Sequence, residues 1–352
     1  MNRQFNLVSK VIVFLAVTSS MGLIGNFPAV AEKVEVSGGG QCEGDITTDN
    51  LNGQVVCTYG NGDRYEGQFV DGKKQGQGTY TFADGGQYQG TFTNDAIAGS
   101  GVRTYPNGDR YEGEFQNGQP NGKGVYISAN GGRYEGQFTN GDPSGKGTFV
   151  YANGDSCSGV VSNGLLNGEG ECTYSNGDTY QGKFADGKPA GQGTYIFADG
   201  GQYQGTFVAG EFSGKGVRKY SNGNSYEGEF ANGKPSGMGA YTFADGSSYQ
   251  GQMSQGKFSG QGTFTETSGN RYEGEFANGK YQGAGVYTFA NGDRCEGTFR
   301  DGQLNGSAVC DYSSGDTYQG EFKSGQKHGS GVYTFADGAV VEGTWNGDQY
   351  QQ

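Results

Sequence analysis

The residues able to do chemistry are few in this chain and regularly placed. Six cysteines occur as three pairs, each pair fifteen residues apart: Cys42 with Cys57, Cys157 with Cys172, and Cys295 with Cys310. Such pairs can form disulfides, bind zinc or remain buried thiols. Zinc needs four ligands together, and at least 100 residues separate one pair from the next. The one histidine, His328, lies in Lys327-His328-Gly329 and leaves no second imidazole for Ser–His or Cys–His catalysis. Asn-Gly-Asp stretches such as Asn61 to Asp63 and Asn176 to Asp178 could suggest calcium, but each offers too few oxygens for a 6–8-coordinate ion. Gly-x-Gly strings such as Gly76-Gln77-Gly78 lack the strand–loop–helix setting and the Lys-Ser/Thr ending of a phosphate loop.

The elements that position these residues repeat. Lines of 23 residues begin at Cys42, Tyr65, Tyr88, Tyr111, Tyr134, Cys157, Tyr180, Tyr203, Tyr226, Tyr249, Tyr272, Cys295, Tyr318 and Val341, with no insertion. That makes thirteen full units and a truncated fourteenth. Counting each unit from 0, position 2 is Gly in all fourteen, and position 11 is Gly in all thirteen full units. Position 4 is Phe in ten units. Positions 19 and 20 read Asn-Gly, Asp-Gly or Ser-Gly throughout. Asn-Gly between alternating apolar runs is a strong hairpin signal, because both turn residues take positive φ. The expectation is therefore a strand near positions 13 to 18, a tight turn at 19 and 20, and a strand opening the next unit. Within Tyr111-Glu112-Gly113-Glu114-Phe115, alternation places Tyr111, Gly113 and Phe115 on one face and both glutamates on the other. A longer Gly-bearing loop, such as Asn117 to Gly122, would return the chain. Glycine inside a strand normally weakens it. Here it gives a flat ring an empty place to lie.

Composition agrees with a repeat of this kind. Gly supplies 72 of 352 residues and apolar residues only 32%, yet Tyr and Phe number 24 and 22. That is too aliphatic-poor for several thick cores and too aromatic for ordinary disorder. A longer period lies inside the short one. Position 15 reads Cys57, Tyr80, Arg103, Tyr126, Phe149 and then Cys172, Tyr195, Arg218, Tyr241, Phe264, the same order 115 residues on.

The string Tyr111-Glu112-Gly113-Glu114-Phe115-x-Asn117-Gly118-x-x-x-Gly122-x-Gly124-x-Tyr126 resembles the MORN (membrane occupation and recognition nexus) repeat. The resemblance extends from Cys42 to about Gln349. It implies single-layer stacks of β-hairpins used as scaffolds, dimerisation surfaces or lipid-contacting modules, and a structural histidine at the position of His328. The expected fold is all-β: an elongated, solenoid-like, single-layer antiparallel sheet with no helical domain beyond a signal peptide.

Residues 1–31 read as that signal peptide, with Arg3 and Lys10 before interrupted apolar stretches and Ala29-Val30-Ala31 as a cleavage site. Residues 32–41 read as a short linker and 42–352 as the array. Cleavage takes two cations and no acids from a chain of net charge −13, leaving −15. An acidic rod is repelled by nucleic acid and by anionic lipid headgroups. Export makes three disulfides within units the favoured reading of the cysteines. Glu43, Glu66, Glu112, Glu135, Glu227, Glu273, Glu296 and Glu342 share position 1. At roughly 10 Å from unit to unit they are wide for a glycosidase pair and read as a solvated face.

The aromatic columns remain as the candidate binding face: Tyr88, Arg103, Tyr111, Phe115, Tyr126, Tyr203, Arg218, Tyr226, Phe230 and Tyr241. Rings left open on a single layer would suit a protein, a peptide, a glycan or a second copy of the chain; the other reading is that they pack only on one another and on the glycines. Arg103 and Arg218 could grip a carboxylate or phosphate, or lie over rings such as Tyr88 or Tyr111. The reading is an exported, periplasmic or extracellular, non-enzymatic scaffold without cofactor or metal, with a lipid-associating module as the alternative.

Overall fold

The computed structural model describes residues 33–36, 40–44 and 51–351. The expected signal peptide lies outside the described residues. The described residues form one antiparallel sheet of 29 strands, each paired with its neighbour in sequence. The segment expected as a linker is partly strand: β1 (Lys33–Val36) pairs with β2 (Gly40–Gly44), Val34 opposite Cys42.

One unit shows why the sequence folds this way. β8 (Arg110–Gln116) runs into β9 (Gln119–Ile127) through Asn117 and Gly118, with φ of 50° and 80°. Two successive positive φ values define the hairpin turn whose twist suits flanking strands. The tight turn therefore sits at positions 6 and 7, within the stretch expected as a long loop, and the second strand begins at position 8. The turn at positions 17 to 21 is longer than expected. In Tyr105-Pro106-Asn107-Gly108-Asp109, the Gly108 N–H bonds the Tyr105 carbonyl and the Tyr105 N–H bonds the Asp109 carbonyl. Only Gly108 takes positive φ, as in a three-residue loop closed by a glycine bulge. His328, expected in a loop, is paired with Asn346 inside β27 (Gln326–Thr334).

The twelve hairpins between Arg64 and Thr334 each carry a bulge. Phe115 pairs with Pro120 but Gly113 with Gly124, so two extra residues bow out of β9 at Gly122, φ 95°. The bowing exposes the Glu114 carbonyl, which accepts the Tyr111 hydroxyl at 2.9 Å. All ten position-0 tyrosines bond the equivalent carbonyl, as with Tyr65 to Gln68 and Tyr203 to Thr206. To reach it, the ring lies flat over two glycines. A Cβ on Gly205 would meet the Tyr203 hydroxyl at 2.5 Å, and one on Gly216 would meet its ring at 2.6 Å.

These rings zigzag along the ribbon. Tyr203 meets Phe207 of its own unit edge-on at 5.2 Å and Phe230 of the next at 4.9 Å. Tyr111 does the same with Phe115 and Phe138. Such contacts add about 0.5–1.5 kcal/mol per pair beyond burial. Position 9 closes the column from above: Phe212, Phe258 and Tyr281 stack on Tyr203, Tyr249 and Tyr272, each with centroids 3.9 Å apart.

Where the ladder of tyrosines is interrupted, a disulfide stands in its place. Cys42–Cys57, Cys157–Cys172 and Cys295–Cys310 are bonded across directly opposed strand positions. Leucine at position 9 fills the space the ring leaves, with Leu166 and Leu304 buried and Leu51 packed against the core. The slot glycine is relaxed in two of these units, to Val55 and Ala308. Two strands per unit advance the ribbon about 10 Å, so the array spans roughly 130 Å.

A consequence is local. Replacing Cys157 and Cys172 by alanine should cost about 3 kcal/mol, the chain-entropy value for a fifteen-residue loop. Hydrogen exchange should show β12 (Ser156–Ser162) and β13 (Leu165–Thr173) losing protection while distant units keep theirs. Uniform loss along the chain would contradict nearest-neighbour stability.

Candidate functional site

The inner aromatic column is sealed. Tyr88, Tyr111, Tyr203 and Tyr226 have no exposed surface, and Phe115 and Phe230 only 4%. Of the ten residues expected on a binding face, these six offer no ring face to solvent. Tyr126, Tyr241, Arg103 and Arg218 are half-buried. Of the two readings, the inner column follows the one in which rings pack on one another and on glycines: bulge, slot and position-9 lid together close a single layer over its own rings.

Apart from Tyr350, the most exposed rings occupy position 17, beside the three-residue turns. They run from Tyr59 through Phe82, Tyr105, Tyr151, Tyr174 and Phe197 to Phe335, and are all at least half-buried or exposed. Tyr151, Phe289 and Phe335 are 45%, 41% and 43% exposed. Position-15 rings of the next unit support the row: Tyr59 stacks with Tyr80, Tyr174 with Tyr195, and Tyr312 with Tyr333, at 6.2, 5.9 and 6.0 Å.

Arg103 and Arg218 belong to this row. The Arg103 guanidinium lies between Phe82 and Tyr105, at 4.7 and 5.0 Å. Arg218 lies 3.6 Å from Phe197 and 5.2 Å from Tyr220. Both therefore stack on rings, as one reading held, but on the position-17 rings rather than on Tyr88 or Tyr111. Burial lowers the Arg218 pKa, and Nε of each arginine is buried without a hydrogen-bond partner. Lys74 and Lys327 also sit among rings. Lys327 lies within 4.7 to 5.3 Å of Tyr312, Tyr318, Tyr333 and Trp345, and burial lowers its pKa.

A latch between units holds the row in place. The Asp178 carboxylate accepts the Tyr195 hydroxyl at 2.6 Å and the Ala198 N–H at 2.8 Å, both from the next unit. Asp63 engages Tyr80 and Ala83, Asp316 engages Tyr333 and Ala336, and Asp109 engages Tyr126 and Ala129. The tyrosine hydroxyl is the main reason the Asp63, Asp178 and Asp316 carboxyls lie below their ordinary value. The Asn-Gly-Asp stretches thus fasten one hairpin turn to the next. The sequence carried this signal. Tyr80, Tyr126, Tyr195, Tyr241, Tyr287 and Tyr333 each follow an Asp or Asn by seventeen residues, whereas Arg103, Arg218, Phe149 and Phe264 follow Gly or Ser. A phenylalanine has no donor to satisfy, and the two arginines stack on rings instead.

The opposite face is polar, and five of its arginines are paired. Arg64, Arg110, Arg133, Arg271 and Arg294 pair with the glutamate two residues on, at 2.5 to 2.8 Å. Residues i and i+2 share a strand face. These exposed pairs carry little stability, but they leave neither a bare acid row nor a basic patch at those units. The glycine columns leave an open trough of about 680 Å³ on this face beside Lys215, Glu227, Glu229 and Met238. No group of three or more His, Cys, Asp or Glu able to hold a metal ion occurs among the described residues.

The family model described as MORN repeat matches twelve consecutive stretches, from 65–87 and 88–110 through to 295–317 and 318–340. The matches omit the first unit and the truncated last. No curated protein matches the chain. Among solved structures it is similar to the Drosophila melanogaster SAS-4 (dCPAP) TCP domain in complex with a proline-rich motif of Ana2 (dSTIL), at 12% identity and TM-score 0.30 over 53% of this chain and 99% of that one. It is similar to the TCP10 domain of Danio rerio CPAP, in mutant form, at 10% identity and TM-score 0.13 over 89% and 99%. A virginiamycin B lyase from Staphylococcus aureus matches at 11% identity and TM-score 0.13 over 87% and 89%. Likenesses this loose carry no argument about activity.

Proposed function

Because the chain belongs to the MORN repeat family, we propose that it is an exported, non-enzymatic scaffold that binds an extended partner along the position-17 ring row. The array is a repeat-based binding or scaffold surface, and three disulfides suit an oxidising environment. Export to the periplasm or exterior follows from reading residues 1–31 as a signal peptide. The observation that carries the proposal is the row itself, half-exposed and spaced at about 10 Å, supported from below by stacked tyrosines and stacked guanidinium groups. Rings held rigid at low entropic cost make good contact surface for a protein segment, a peptide or the apolar face of a glycan. Among the described residues, no acid, base and nucleophile converge on the row.

The column tolerates loss of its ring, since Ser128 and Glu266 occupy it naturally. Replacing Tyr151, Phe289 and Phe335 by serine should therefore abolish capture of peptides or glycans on arrays while shifting Tm by no more than a few degrees. Unchanged capture by the triple variant would remove the ring row from consideration. The lipid-associating alternative predicts co-flotation with liposomes. A net charge of −15 after cleavage and cations tied to neighbouring glutamates argue that anionic vesicles will leave the protein in the dense fraction.

A further inference from the structure

Five pairs of tyrosines lie along the position-17 row, each made by a position-17 ring and the position-15 ring of the next unit. They are Tyr59–Tyr80, Tyr105–Tyr126, Tyr174–Tyr195, Tyr220–Tyr241 and Tyr312–Tyr333. In four of them the first ring carries a cation of this chain. Lys74 Nζ lies 5.1 Å from the Tyr59 ring, and Lys327 Nζ lies 5.1 Å from the Tyr312 ring. The guanidinium groups of Arg103 and Arg218 lie 5.0 and 5.2 Å from Tyr105 and Tyr220. Tyr174 is the exception. Among the described residues, no lysine or arginine lies over Tyr174, Tyr180 or Tyr195.

The rings themselves match. Tyr59–Tyr80, Tyr174–Tyr195 and Tyr312–Tyr333 are the pairs that follow a disulfide in the array. Their planes meet at 28°, 28° and 26°, with centroids 6.2, 5.9 and 6.0 Å apart. What differs is position 9. Pro189 stands opposite Phe184 as Lys74 stands opposite Phe69 and Lys327 opposite Phe322. Each lysine also reaches the position-0 ring, Tyr65 at 5.7 Å and Tyr318 at 5.2 Å, and the position-15 ring, Tyr80 at 5.4 Å and Tyr333 at 4.7 Å. Each comes with an aspartate at position 7 of the following unit, Asp95 or Asp348, whose carboxylate accepts the lysine backbone N–H at 2.9 Å. After Pro189 that position is Gly210. The latch carboxylate stays. Asp178 holds the place of Asp63 and Asp316, which act electrostatically on Lys74 and Lys327. It is buried, at 9% exposure. Arg218 also acts on Asp178, but from its stack on Phe197 at 3.6 Å.

We propose that Tyr174, Tyr180 and Tyr195, with Asp178, take a lysine side chain of the extended partner, in the place that Lys74 and Lys327 fill from within at the matching units. The inference rests on the ring-row reading and adds to it the chemistry of the partner, a basic segment. A primary ammonium on a four-carbon stem is the group that the same three rings hold twice in this chain. Ring faces beside a carboxylate attract a cation as it loses water. The net charge of −13 favours a basic partner over the whole length of the ribbon.

The test compares a labelled Lys-Ser-Lys-Ser-Lys-Ser-Lys peptide with the same peptide acetylated at every lysine, by fluorescence anisotropy on the full chain. Acetylation keeps the stem and removes the charge, and should weaken binding at least about tenfold. Pro189→Lys supplies the cation from within and should weaken the lysine peptide at least about fivefold. Pro143→Lys adds the same charge in a unit where Ser128 and Phe149 stand in place of the two tyrosines. It should change binding by less than about twofold, as an exposed charge does. Lysine is native at position 9 in two units, so circular dichroism should show both variants folded. Equal weakening by the two variants, indifference to acetylation, or no binding of either peptide would each overturn the proposal. Peptide capture that depends on Tyr151, Phe289 and Phe335 but not on lysine would overturn it and leave the ring row standing.

Discussion

Replacing Gly216 with valine is expected to open the centre of the ribbon, at a cost on the order of 4 kcal/mol, the upper range for a single substitution. The reason is steric, since Gly216 does not sit in the left-handed region that favours glycine. The three atoms nearest a Cβ at this position are Cε2, the hydroxyl and Cζ of Tyr203, at 2.6 to 2.8 Å. That ring cannot withdraw, because Phe212 is stacked on it at 3.9 Å and its hydroxyl is bonded to the Thr206 carbonyl at 2.9 Å. Tyr203→Ala alone should cost about 3–5 kcal/mol. The double variant should cost less than the two together by at least about 1 kcal/mol, because the slot is vacant once the ring is gone. Urea unfolding of the four proteins measures the coupling. Strict additivity would mean that something other than the ring demands glycine there. Ala308 is a natural precedent, since its unit carries a disulfide where the ring would lie.

The second large effect is alkaline unfolding. Burial pushes the phenols of Tyr65, Tyr88, Tyr111, Tyr180, Tyr203, Tyr226, Tyr249 and Tyr272 up to about 12. An unfolded tyrosine titrates near 10. A raised value in the folded state means the fold binds the proton more tightly. The stabilisation is complete below about pH 10 and drains away as pH climbs toward 12. Eight phenols act in the same direction, so the loss should be steep. Tyrosinate absorbance and loss of circular dichroism should rise together between roughly pH 10 and 12. Gradual tyrosine ionisation near pH 10 with the sheet intact would show that the phenols are not buried as described.

Much of this architecture was legible in the residues. The uninterrupted period, the glycine columns and the cysteine pairs at positions 0 and 15 led directly to hairpins, ring slots and disulfides. The turns were not, because the sequence gives the same signal twice. Asn117-Gly118 and Asn107-Gly108 look alike as dipeptides. Ala209, Gln255 and Ser324 conceal the first of these columns, although all three adopt φ near 50°. Strand register decides between them, and register is a property of the stacked sheet. Whether the aromatic face is open or packed on itself was left undecided by the residues for a related reason. Sealing Tyr203 depends on the Thr206 carbonyl freed by a bulge and on Phe212, five residues beyond the visible Tyr-x-Gly-x-Phe string, and both the bulge and Phe212 belong to the neighbouring strand.

The account turns on which rings are closed and which are available. Hydroxyl-radical footprinting of the protein reads that ring by ring. Oxidation concentrated at Tyr151, Phe289 and Phe335, with Tyr88, Tyr111, Tyr203 and Tyr226 protected, is the predicted result. Inner tyrosines oxidised as fast as the outer row would contradict it and return the candidate surface to the inner column.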